Sequence, residues 1–131
     1  MSYLTSVTLM QPFEQVLDAV RAQLAAQGFG VLTEIDMQST LKAKLGVDID
    51  PYVILGACNP PLAYRALQAE PSLGVLLPCN VVVRFSSQDT TLVEAVDPAT
   101  LVTLTDNEAL AAVTGEVATR LAAAMDALGR R

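Results

Sequence analysis

The chain is 131 residues long and 52% hydrophobic, enough for one domain that buries its own core. Its 14 acidic residues outnumber 8 basic ones for a net charge of −6, and it lacks the clustered positive surface that phosphate backbones require, so no nucleic acid partner is expected. Histidine is absent, which removes Ser-His and Cys-His catalytic pairs, imidazole metal ligands and the commonest general base near neutral pH.

Taken in order, residues 3–10 alternate Tyr3, Thr5, Val7 and Leu9 on one side, the pattern of a strand. Pro12 opens a helix in which Phe13, Val16, Leu17, Val20 and Leu24 share a face, and Gly28 stops it. Residues 30–36 read as a second strand and 37–45 as a short helix. After the turn bracketed by Gly46 and Pro51, residues 52–57 form a continuous apolar run, which suits a central strand buried on both faces. Asn59 is a good N-cap and Pro60 a good first helical residue, so residues 60–69 should be a helix that starts directly after Cys58.

Strands over 79–86 and 91–96 follow, joined by a hairpin loop through Ser87-Gln88-Asp89. An irregular passage through Leu101 and Val102 leads to the last helix, for which Thr105 and Glu108 make a capping box and Leu110, Val113, Val117, Leu121, Ala124 and Leu128 an apolar stripe. Gly115 inside this helix marks a close packing contact. The order β-α-β-α-β-α-β-β-α predicts an α+β fold: a single antiparallel-rich sheet with helices on one face, in one domain spanning residues 1–131.

No apolar stretch approaches the roughly 20 residues that cross a bilayer, and Met1-Ser2-Tyr3-Leu4-Thr5 carries neither basic residues nor the apolar core of a secretory signal. The expectation is a cytoplasmic protein without a membrane partner, whose two cysteines are free thiols and not a disulfide scaffold.

Both cysteines are followed by asparagine and pressed against proline: Cys58-Asn59-Pro60-Pro61 and Leu76-Leu77-Pro78-Cys79-Asn80. In the simplest reading the thiols are small buried hydrophobes, Asn59 caps a helix and Asn80 bonds nearby backbone. A sharper reading places the end of one strand beside the start of another, making the thiols neighbours, with the helix at Pro60 aiming backbone N–H groups toward Cys58 and favouring disulfide or persulfide chemistry. Twenty residues separate the cysteines, which is not a zinc spacing, and neither a metal site nor a cofactor is expected. Glu34, Asp36 and Arg84 read as a solvated sheet face, or, if helices close that face, as a polar pocket to which Tyr52, Tyr64 and Arg65 contribute. Asp48 and Asp50 are turn residues, since the other ligands of a calcium loop are missing.

The segments Gly28-Phe29-Gly30-Val31-Leu32, Ile54-Leu55-Gly56-Ala57-Cys58-Asn59-Pro60, Ala63-Tyr64-Arg65-Ala66-Leu67 and Gly74-Val75-Leu76-Leu77-Pro78-Cys79-Asn80-Val81 resemble the domain of unknown function number 302 family across nearly the whole chain. The resemblance implies a small bacterial or archaeal α+β domain of TATA-binding-protein-like topology, often a homodimer, with no established activity.

The site expected from these readings binds a small molecule near Cys58, Asn59, Cys79 and Asn80, with Tyr64 and Arg84 as further contacts. Two alternatives stand beside it: a thiol-based redox enzyme or sulfur carrier using Cys58 or Cys79, and a structural or protein-interaction module. The residues leave open whether the site only binds or also catalyses.

Overall fold

A computed structural model describes residues 2–129. Five strands, β1 (Leu4–Leu9), β2 (Gly30–Asp36), β3 (Tyr52–Cys58), β4 (Cys79–Ser87) and β5 (Thr90–Val96), form one sheet in the order β1-β5-β4-β3-β2, and every neighbouring pair is antiparallel. The helices are α1 (Phe13–Ala26), α2 (Met37–Leu45), α3 (Pro60–Ala69), α4 (Ala99–Thr105) and α5 (Ala111–Gly129). The α+β class, the antiparallel sheet and the order of elements are those the periodicities predict, and the structure adds α4 ahead of the last helix.

Alternation along the strands decides which face is covered. Val53, Leu55 and Ala57 of β3, Val81 and Val83 of β4, and Val93 and Ala95 of β5 are buried under Val16, Val20 and Leu24 of α1 and Leu121, Ala124 and Leu128 of α5. Leu55, Val83 and Val93 are wholly buried, and each contributes about 1.5–3 kcal/mol relative to exposure. The opposite face carries Ile54, Val82, Arg84, Leu92 and Glu94, all half-buried. The expectation that β3 is buried equally on both faces is therefore met on one face only.

Local signals account for the element boundaries. Gly28, at φ 85°, and Gly46, at φ 68°, adopt left-handed backbone where α1 and α2 end, a region that disfavours side chains with a Cβ. Asp36 caps α2 by accepting from Ser39 N at 3.0 Å, and Asn59 caps α3 by accepting from Leu62 N at 3.4 Å.

The segment before the last helix is more ordered than the sequence suggests. Residues 99–105 wind into α4, whose start is helped by Asp97 accepting from Ala99 N at 3.0 Å, and whose Leu101 is buried. Thr105 is consequently not an N-cap: its hydroxyl donates back to Leu101 O at 2.6 Å, closing α4. Asn107 takes the capping role, accepting from Ala109 N at 3.0 Å ahead of a single 3-10 turn, Glu108–Leu110, that leads into α5. Gly115 has open space where a Cβ would stand, so no close packing requires it.

A second apolar cluster lies beyond the end of the sheet. Leu62 and Ala66 of α3 meet Leu73 from a short 3-10 helix at Pro71–Val75, Leu101 of α4, and Leu110 and Val113 before and within α5. This cluster is incompletely filled, and the gap in it is the candidate site.

Candidate functional site: an apolar cavity at the Cys-Asn strand ends

The register of β3 on β4 sets Ala57 opposite Cys79, so Cys58, the last residue of β3, lies one position further along the same sheet end. The two Cys-Asn elements thus come together although twenty residues separate the cysteines in sequence. Gly56 permits this. A Cβ there would stand 2.7 Å from Pro78 Cγ and would also collide with Thr33 Oγ1, closer than van der Waals contact allows. The glycine of the first element therefore makes room for the proline of the second.

Beyond this sheet end is a cavity of about 330 Å³. Its floor is Phe29, Ala57, Cys58 and Cys79. Its walls are Leu62 and Ala66 of α3, Leu73 and Leu77 from the stretch that returns to β4, Leu101 of α4, and Val113 and Val117 of α5. Leu32 and Leu67 line it and reach the surface, being 67% and 39% exposed, so they form an apolar rim.

Polar groups in the lining are few and mostly engaged. Thr114 is buried, and its hydroxyl donates to Leu110 O at 2.9 Å. Asn59 is buried, with its side-chain oxygen committed to the cap of α3. The first turn of α3 also differs from its expected form. Pro60 and Pro61 have no N–H, that of Leu62 goes to Asn59 Oδ1, and that of Ala63 goes to Asn59 O at 2.8 Å. These four residues leave no amide free for an anion, so the helix start is not a donor cluster.

The two thiols differ in environment. Cys79 is buried, and Cys58 is half-buried. Burial pushes the Cys79 thiol up to about 11, with the neighbouring Cys58 adding to the rise, so Cys79 is a neutral thiol at physiological pH. Both cysteines are free.

Of the six residues singled out from the sequence, Cys58, Asn59 and Cys79 line the cavity and three lie outside it. Tyr64 is 66% exposed on α3. Asn80 pairs with Gly56 and lines a shallow depression on the opposite sheet face with Tyr52 and Val82. Arg84 sits further along that face, where its Nε donates to Glu94 Oε1 at 2.7 Å.

Several other charges are also paired within the chain. Arg21 joins Asp18 and Glu34, Lys42 meets Asp48 at 3.0 Å, and Arg65 Nη1 meets Glu116 Oε1 at 3.0 Å, tying α3 to α5. A larger depression, about 480 Å³, borders Arg84 and Glu94, but it is a more open surface whose principal charges already satisfy one another.

The cavity also takes in many residues that the sequence did not offer as site contacts, Leu73, Leu77, Leu101, Val113, Thr114 and Val117 among them. Val113 and Val117 belong to the predicted stripe of the last helix. That stripe is continuous in sequence, and its upper part lines the cavity while its lower part packs on the sheet.

These features define a small α+β protein with a sheet covered by two helices and an apolar side cavity where two Cys-Asn elements converge. The chain belongs to the family described as Domain of unknown function DUF302, whose profile matches residues 5–128. It is similar to the crystal structure of an uncharacterized conserved DUF302 protein from Bacillus stearothermophilus, with a TM-score of 0.87 and 31% sequence identity over 96% of this chain and 98% of that one. No curated protein matches.

Proposed function

We propose that this protein binds a small molecule in the cavity between α3, α4, α5 and the end of the sheet. The observation that carries the reading is a preformed cavity of about 330 Å³, walled by leucine and valine, at the place where the two Cys-Asn elements meet. Clefts of roughly 300–1,000 Å³ with mainly apolar walls are the usual form of small-molecule sites. The lining comes from five separate parts of the chain, so occupancy would stabilise their packing and raise the unfolding temperature.

The test is titration with a neutral, environment-sensitive naphthylamine dye, which brightens on entering an apolar site. Binding is expected at one site per chain, and Ala66→Phe, which fills the cavity from α3, is expected to abolish it while the far-ultraviolet circular dichroism stays native. Equal dye binding by the wild type and the filled variant would refute the proposal.

A second reading, a thiol enzyme or sulfur carrier, is favoured by one observation: Cys58 lines the cavity and is only half-buried. Cys79 is poorly suited to the nucleophile's role because its burial opposes the thiolate.

A further inference from the structure

We infer that the part of the ligand held in this cavity is an uncharged hydrocarbon of about twelve non-hydrogen atoms, and that an ionised head group is rejected. The inference rests on the proposed binding role and specifies its chemical class. Size comes from the volume: an apolar cavity of about 150 Å³ accommodates benzene, and this one, at about 330 Å³, is roughly twice as large.

Charge comes from the lining. Among the described residues, none of the side chains lining the cavity is Lys, Arg, Asp or Glu. The nearest source of positive potential, the start of α3, has its first four amide positions either blocked by proline or already bonded. The proton of Thr114 is taken by Leu110 O. Arg65, on the outer side of α3, is held by Glu116. A carboxylate or phosphate drawn inside would lose its water and meet no cation, with only the Asn59 amide and the two thiols as neutral donors, and an ammonium would find no carboxylate.

The rim carries the argument outward. Leu32 and Leu67 line the cavity and are exposed, and Val75 and Leu76, adjoining the lining residues Gly74 and Leu77, are 87% and 37% exposed. Exposed apolar side chains beside an apolar cavity admit an alkyl chain or a fused ring end-on.

Three probes of matched length, 1-decanol, decanoate and decylammonium, are titrated by displacement of the neutral dye at pH 8, below their micelle concentrations. Decanol is expected to bind at least tenfold more tightly than either ion. Leu67→Arg, at the exposed rim, is expected to shift the ratio toward decanoate by about tenfold, because it supplies the missing cation.

An ion that matches decanol in the wild type, or a decanoate-to-decanol ratio unchanged by Leu67→Arg, would overturn the inference while leaving the dye site in place. If the dye binds and decanol fails to displace it, the inference falls alone. If neither dye nor decanol binds, the proposed function falls with it.

Discussion

Gly56 and Pro78 belong to different Cys-Asn elements and interlock across the β3–β4 pair, such that a methyl group on Gly56 would lie 2.7 Å from the proline ring. Thr33 Oγ1, from β2, closes the other side. Strands β2 and β3 and the residue that leads into β4 therefore share one packing point beside the cavity. Gly56→Ala is expected to force the strands apart and destabilise the protein by about 1–3 kcal/mol, the usual range for overpacking. Urea denaturation measures it, and an unchanged midpoint would show that the strands yield freely there.

Cys79 makes stability sensitive to alkaline pH. Its folded thiol titrates near 11, against an ordinary value of 9.0. The folded value is the higher one, so the contribution is fully present below about pH 9 and is lost as pH rises toward 11. The separation corresponds to about 2–3 kcal/mol at most. Unfolding free energies measured from pH 8 to 11 are expected to fall more steeply for the wild type than for Cys79→Ala. Parallel curves would contradict this.

The thiols should differ in reactivity. Iodoacetamide at pH 8 is expected to alkylate half-buried Cys58 at least tenfold faster than buried Cys79, which reacts only when the sheet end opens. Peptide mass spectrometry after timed quenching distinguishes the sites. Equal rates would show that Cys79 is accessible in the native protein.

Asn107 holds the link between α4 and α5 against the end of α3. Its Nδ2 donates to Ala69 O at 3.1 Å and to Glu70 Oε1 at 2.8 Å, while its side-chain oxygen caps the following turn. Asn107→Ala is expected to cost about 1–3 kcal/mol and to weaken dye binding, because Leu101 and Val113 flank this link. A loss of stability with unaltered dye affinity would separate Asn107 from the cavity.

The sequence made the sheet legible because two-residue alternation and proline punctuation survive tertiary packing. The valine-rich β4 and the Asn59-Pro60 start of α3 are where those signals place them. Residues 99–105 were harder to read. Ala-Thr-Leu-Val-Thr-Leu-Thr is rich in β-branched residues that disfavour helix, and what decides its conformation is burial of Leu101 against residues distant in sequence. Asp97-Pro98 was the available helix-start signal, and it reads equally well as the end of a strand.

The candidate site was half legible for a related reason. Cys58, Asn59 and Cys79 lie at strand ends that the pairing of neighbouring strands brings together. Asn80 follows Cys79 immediately yet faces the other side of the sheet, because strand side chains alternate. Leucines 73, 77 and 101 carry no mark in the sequence that separates a cavity wall from an ordinary core.

The most direct test of the account follows methyl and amide resonances during titration with 1-decanol. Shifts are expected to concentrate at Leu62, Leu73, Leu101, Val113 and Val117, with little change at Tyr52, Val82 or Arg84 on the opposite sheet face. Shifts concentrated on that face, or an absence of saturable change at the cavity residues, would contradict the assignment of the cavity as the ligand site.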